Sequence, residues 1–304
     1  MYHYIRTYDK KLPYFNFLHK KDFFKQINYF KKKFSILNKD FEQIKRSKGI
    51  FLSFDDGLKE HLKIGKYLFK NKLKAAFFIS GYPIEKKDFL AIHKIHLIFG
   101  KFNSDAIFKI FNKFSIGNNS KNLFKIFLQQ KKFLKKEKNK ERKKKIILKT
   151  ILNNYAQQNQ KKIDEVFNYC FTRKEQKNMF KNFYLNKSDI KKLISYGMIV
   201  GAHGFSHRVL SKLSTKVLEK DINLSISILK KIIKKKTQFF CYPYGGKSVF
   251  DNRVISLLKK NNIRYAFNVD SKNFGPSSKN LEIPRFDCNE FKFGKLFKYE
   301  TKKQ

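Results

Sequence analysis

The chain of 304 residues is long enough for one large domain or a domain with an insertion, and carries 69 Lys and Arg against 24 Asp and Glu, a formal net charge of +45. Only eight of those 69 are arginine, the residue suited to bidentate readout of phosphates and base edges, which argues against a specific nucleic-acid binder. The lysine excess is also what an AT-rich genome imposes on solvent-facing positions, with weak attraction to an anionic partner such as a membrane surface as its by-product. Cys170, Cys241 and Cys288 are too scattered for a paired metal motif or a disulfide framework, and there is neither a signal-like apolar core nor a run of about 18 apolar residues. Together these predict a reducing, cytoplasmic setting.

In chain order, residues 1–8 alternate as a first strand. Phe23, Phe24, Ile27, Phe30 and Phe34 make a helical stripe over 20–34. An apolar run over 50–54 is a second strand, ending abruptly in Asp55-Asp56-Gly57. A helix follows over 58–70, with Asn71 as its stop, then a strand over 75–79 closed by Gly81 and Pro83. From 85 to 186 the character changes: proline is absent, lysines abound, and Phe, Ile and Leu recur at helical spacing. Segments 106–114 and 123–134 are amphipathic, and 135–145 is nearly all charge, as on a solvated helix face. This stretch reads as a helical insertion, either a lid that selects substrate or a peripheral decoration.

Beyond it come a helix over 188–196 ended by Gly197 and a strand over 198–202 running into His203. A long helix from Ser214 to Lys235 and a strand over 238–242 follow. A helix over 249–260, a strand over 265–269 and a short one over 282–286 complete the chain. Strands alternating with helices, with reactive residues at strand carboxyl ends, predict an α/β barrel over 1–84 and 187–304, interrupted by the insertion at 85–186.

Two adjacent carboxylates at a strand tip repel each other unless a cation or hydrogen bonds hold them. His203 and His207, four apart, are close enough to grip one ion if the chain turns helically after His203. Asp56, His203 and His207 make three protein ligands with a position left open, which is the layout of a catalytic metal site. Mixed nitrogen and oxygen ligation favours zinc, with cobalt, nickel or manganese open to the same residue types. Each motif also has an ordinary reading: Asp-Asp-Gly as a turn, His203 as a core histidine, Tyr-Pro-Tyr-Gly as a loop.

Three motifs in this order, Phe54-Asp55-Asp56-Gly57, His203-x-x-x-His207 and Tyr242-Pro243-Tyr244-Gly245, each follow an apolar run. With the opening Met1-Tyr2-His3-Tyr4-Ile5-Arg6 and the late Ile283-Pro284-Arg285, they resemble the polysaccharide deacetylases, carbohydrate esterase family 4, with its nodulation-type deacetylase homology domain. The resemblance covers 1–83 and 187–289. It implies a distorted (β/α) barrel of about seven strands. It also implies a metal-dependent hydrolase that removes an N-acyl group, acetyl above all, from an amino sugar in cell-surface polysaccharide or lipopolysaccharide synthesis. By the same resemblance Asp55 is the general base, Asp56, His203 and His207 hold the metal, and the Tyr244 backbone N–H faces the oxyanion.

Two departures stand out. Cys241 occupies the place of an arginine that orients the family's catalytic aspartate, a task for which Arg285 is the candidate substitute. The family's late Leu-x-His, source of its general acid, is missing, which leaves His3, His93 and His96 as candidates, each also readable as structural. The expected partner is a carbohydrate, as a nucleotide- or lipid-phosphate-linked sugar whose phosphates suit the lysines. Two rivals remain: a carbohydrate-binding member of the fold that has lost catalysis, and a charge-driven nucleic-acid binder whose affinity falls steeply with salt.

Overall fold

Short, mostly buried runs rich in Phe, Ala, Ile and Val set the framework. The computed structural model describes residues 1–39, 41–44, 46–116 and 140–294, and these fall into two units. The first comprises Met1–Thr7, Phe17–Asp88 and Phe180 onward, the second Tyr8–Asn16 and the described residues of Phe89–Met179. Among the described residues no helix is long and apolar enough to cross a membrane. The predicted helix at 123–134 and part of the charged run at 135–145 lie outside them.

In the first unit, Ile5–Arg6 (β1) and Leu18–His19 (β2) form a small parallel pair. Leu52–Phe54 (β3), Ala75–Ile79 (β4), Ile199–Ala202 (β5), Phe239–Cys241 (β6) and Tyr265–Phe267 (β7) form a five-stranded parallel sheet in sequence order. All five residues of β4 are buried, as expected of a strand covered on both faces. Two further segments extend this sheet. Tyr2 bridges Phe54 at one edge, and Ile283 bridges Phe267 at the other. The edges then meet: the Met1 amino group donates to Phe286 O at 2.6 Å, and Cys288 N donates to Met1 O at 3.1 Å. The result is the distorted α/β barrel that the resemblance implies, built from five regular strands and two bridging segments.

The strands are shorter than the sequence predicts, and proline explains two of the shortfalls. Pro243 and Pro284 lack the N–H that would continue a ladder, so β6 stops at Cys241 and the predicted strand at 282–286 contracts to one bridge at Ile283. The predicted strand over 1–8 reduces to Ile5–Arg6 and the bridge at Tyr2.

Helices Lys20–Lys33, Glu60–Lys70, Lys187–Ser195, Thr215–Ile233 and Asn252–Lys260 belong to this unit. Their starts follow local chemistry. Asn186 and Asp189 form a reciprocal capping box, and the Asp251 carboxylate accepts from Arg253 N and Val254 N. In the core, Tyr2 stacks on Phe54 (5.2 Å between ring centroids) and Phe54 on Phe77 (4.7 Å). Such contacts contribute about 0.5–1.5 kcal/mol per pair beyond burial, and they lock the strand carrying the two aspartates between its neighbours.

The second unit contains helices Ala91–Lys101, Ser104–Lys113, Lys140–Gln158 and Gln160–Cys170. Ile95, Ile98, Ile107, Leu152, Ile163 and Val166 are buried in it. Lys94, buried, is neutralised by Asp164 at 2.7 Å. Tyr8–Asn16 belongs here and not with its sequence neighbours. Tyr14 N donates to Gly100 O at 2.9 Å, and any Cβ at Gly100 would stand 2.7 Å from Phe15.

Candidate metal centre

Because the sheet is parallel, the residues after β3, β5 and β6 all emerge at one edge of the first unit. Asp55 and Asp56 follow β3, His203 follows β5, and Tyr242 to Gly245 follow β6. Asp56 and Gly57 are both left-handed, at φ 75° and 66°. That double turn swings the Asp56 carboxylate off the strand line, and an aspartate adopts it at a cost of order 1 kcal/mol or more.

The turn brings Asp56 Oδ1 to 3.4 Å from His203 Nε2 and 3.2 Å from His207 Nε2. All three residues are buried, and one donor atom from each lies within 4.8 Å of the others. Metal–ligand bonds of about 2.0–2.2 Å in a tetrahedron place ligand atoms roughly 3.3–3.6 Å apart, so the observed spacings suit one small divalent cation. The tautomer suits it too. His203 Nδ1 lies 2.8 Å from the Cys241 carbonyl, which can only accept, so Nδ1 keeps a proton and Nε2, facing Asp56, is the nitrogen that would give up its own proton to an ion. Burial works against a charged His203, yet Cys241, Asp56 and Asp55 outweigh it and raise its pKa well above the usual value. This pocket favours positive charge.

Asp55 lives in different company. Its two oxygens accept from Arg285 Nη1 and Nη2, both at 2.8 Å. Arg285 also donates to Asn268 O (3.0 Å) and Ser53 Oγ (3.1 Å), and its Nη2 lies 2.9 Å from Cys241 Sγ. Burial pushes the Asp55 carboxyl up, but the Arg285 guanidinium overcomes this and holds it well below the usual carboxylate range. Burial raises the Cys241 thiol, which keeps its proton and points it at Asp55 Oδ2, 3.6 Å away. Asp55, His203 and Cys241 also lie close enough to share an ion. Arg285 already engages both Asp55 oxygens and the sulfur, so a cation there would meet a like charge. The Asp56 set is the better candidate.

Tyr244 closes the rim. Gly245 N donates to Tyr242 O at 3.1 Å around Pro243 and a left-handed Tyr244 (φ 66°), a type II pattern that normally wants glycine where Tyr244 stands. Tyr244 is 38% exposed, with its ring centred 5.1 Å from the His207 ring. Gly245 (φ 71°) has no room for a Cβ, which would meet Val269 at 2.3 Å.

The structure thus brings Asp55, Asp56, His203, His207, Tyr244 and Arg285 into one cluster. Of the three histidines weighed as an acid, His3 joins it, with Nε2 4.0 Å from Asp55 Oδ2 and a side chain 39% exposed. His93 and His96 belong to a helix of the other unit, their rings 6.0 Å apart. Outside the sequence motifs, Ser53 and Asn268 hold Arg285, and Asp221 accepts from the backbone of Phe205 and Ser206. Only Asp221 carried a signal: a carboxylate on the inward stripe of Leu218, Ile222, Ser225 and Leu229.

Comparison with known proteins is consistent with this geometry. The family model described as polysaccharide deacetylase matches residues 151–266, which include both histidines and the Tyr242–Gly245 turn but not the aspartate pair. The poly-beta-1,6-N-acetyl-D-glucosamine N-deacetylase of Staphylococcus aureus (strain MSSA476) is 32% identical over 89 residues, 29% of this chain and 30% of that protein. The Staphylococcus epidermidis protein of the same name is 34% identical over 85 residues, 28% of each. The chain therefore aligns with less than a third of the length of these curated relatives. Among solved structures, the deacetylase PplD of Streptococcus pyogenes superposes with a TM-score of 0.55 at 12% identity, covering 94% of this chain and 88% of that one. IcaB from Ammonifex degensii gives 0.53 at 12% identity, covering 95% and 91%. At these identities the superpositions speak for the fold.

Proposed function

We propose that this chain belongs to the polysaccharide deacetylases, whose family model it matches over 151–266, and is a metal-dependent hydrolase that removes the N-acetyl group from an amino sugar. One observation carries the reading: two buried histidines and a buried aspartate converge at ion-sized spacing beside a second aspartate clamped by arginine. Asp56, His203 and His207 would hold a divalent ion, zinc by the donor set, and when bound it supplies Lewis acidity to the carbonyl and to water.

The chain's own groups do the rest. Asp55, ionised at neutral pH and oriented by Arg285, takes a proton from the attacking water as the acetamide carbon becomes tetrahedral. The Tyr244 backbone N–H donates to the oxyanion, and the tight turn at Gly245 lets substrate approach it. His3 beside Asp55 delivers a proton to the departing amine as the C–N bond breaks, leaving acetate and a free amino sugar.

The staphylococcal relatives are named for poly-beta-1,6-N-acetyl-D-glucosamine, and a glycan of N-acetylhexosamines in cell-surface polysaccharide synthesis is the substrate we favour. The excess of lysine over acidic residues supports a phosphate-linked form, nucleotide or lipid, and weak attraction to an anionic membrane face. Acetate and free-amine release from β-1,6-linked N-acetylglucosamine oligomers, with and without a chelator, tests the proposal. Turnover should need the ion and vanish in Asp55→Asn. A protein that binds the oligomer and the ion yet releases no acetate would instead be the catalytically impaired binder.

A further inference from the structure

The loop that carries both histidines leaves β5 without regular structure, yet it must present His207 from a left-handed backbone, φ 53°. Its first half is held by the segment after β4. Ser80 Oγ donates to His203 O at 3.1 Å, Gly81 N to Gly204 O at 3.1 Å, and Tyr82 N to Phe205 O at 2.8 Å. In its second half, one helix side chain takes three of its donors. Asp221 Oδ1 accepts from Phe205 N at 2.8 Å, and Oδ2 accepts from Ser206 N at 3.0 Å and from Ser206 Oγ.

Gly204 makes this approach possible. It is left-handed (φ 68°), and a Cβ there would stand 3.2 Å from Asp221 Oδ1 and 3.3 Å from Pro243. Asp221 itself is buried, and among the described residues its hydrogen-bond partners are N–H and O–H donors, with no cationic side chain. A buried carboxylate on the apolar stripe of a helix is costly, and a neutral residue would pack there more cheaply. An asparagine has one acceptor oxygen where this loop presents three donors, and its amide would set N–H against N–H.

The geometry points to Asp221 as a positioning residue for the metal centre. It sets the turn that aims His207 at Asp56, and it places a carboxylate bonded only to neutral donors behind the loop, which raises the affinity of Asp56, His203 and His207 for a divalent cation. This rests on the metal-centre reading above. It adds an anion beyond Asp55 and Asp56, one that touches neither the ion nor the substrate.

The test is the affinity of the full chain for Zn2+ or Co2+, by competition with a chromophoric chelator, for wild type, Asp221→Asn, Ser206→Ala and His207→Ala. Asp221→Asn is expected to bind about 10- to 100-fold more weakly, to change the visible spectrum of bound Co2+, and to recover kcat at saturating metal. Ser206→Ala, which removes a single donor, is expected to lose affinity less and in the same direction. An Asp221→Asn protein that binds metal as tightly as wild type, with only its metal-free melting temperature lowered, would reduce Asp221 to a structural residue and overturn the inference. Should Asp221→Asn fail to fold, wild-type affinity in Ser206→Ala overturns it equally. A wild type that binds no more metal than His207→Ala would instead remove the metal-centre reading itself.

Discussion

Asp55 and Asp56 are neighbours in the chain, both buried, and they meet opposite surroundings. Asp55 is fixed by two parallel hydrogen bonds to a guanidinium. Asp56 sits on a strained turn, facing two imidazoles. The contrast shows how a protein keeps two adjacent carboxylates at one strand tip. An internal cation neutralises one and orients it, and in the proposed reading the other draws a cation from outside. Environments that push neighbouring acids apart would then also separate their roles, orientation and proton transfer on one side, ligation on the other.

Breaking the Asp56 side should produce the largest effect. Asp56→Asn or His207→Ala is expected to abolish stoichiometric Zn2+ in equilibrium dialysis and to lower kcat/KM by roughly 10³-fold or more. Folding should survive, because Arg285 still balances Asp55. Full activity in either variant would end the division of labour between the two acids.

On the Asp55 side, Arg285→Met should leave a buried charge without its partner and destabilise the protein by about 3–5 kcal/mol, read by urea denaturation at pH 7. The sign of the pH dependence follows from the depressed Asp55 carboxyl. The pair's stabilisation is complete above the ordinary carboxylate value of about 4 and is lost as pH falls below it. The Asp55–Arg285 pair should therefore contribute no slope to wild-type stability between pH 7 and 5. In Arg285→Met the Asp55 carboxyl rises, so stability should climb as pH falls over that interval. Parallel profiles for the two proteins would show that Arg285 does not set the ionisation of Asp55.

Two smaller changes sharpen the picture. Tyr244→Gly keeps the backbone N–H and removes the left-handed strain at a modest entropic cost, so stability should stay within about 1 kcal/mol of wild type. Turnover within a few-fold of wild type would assign Tyr244's role to its main chain, and a large rise in KM would assign it to the ring. Cys241→Ala should be the mildest, costing about 1 kcal/mol, because the Asp55–Arg285 bonds persist without the sulfur. A collapse of activity in that variant would mean that the thiol, and not Arg285, orients the base.

Local chemistry made part of this legible in advance. An apolar run ending in Asp55-Asp56-Gly57, two histidines four apart after another such run, and a proline turn after a third all announce strand tips, since burial period and turn residues act over a few positions. The same locality made the strand ends too long, because ladder length depends on what lies opposite, and Pro243 and Pro284 cut two of them short.

What the chain's order could not reveal is which distant segments meet. Arg285 reaches Asp55 across 230 positions, and only barrel closure through Met1, Phe286 and Cys288 brings it there. His3 lies beside Asp55, while His93 and His96, equally plausible by residue type, fold into another unit. Asp221 interrupts an apolar helix stripe in the sequence, and only the fold brings the Phe205–Ser206 backbone onto its carboxylate. Side-chain periodicity determines which face of an element is buried. Which partner that face meets is decided by how all the elements pack at once, and in this protein that packing assembles the site.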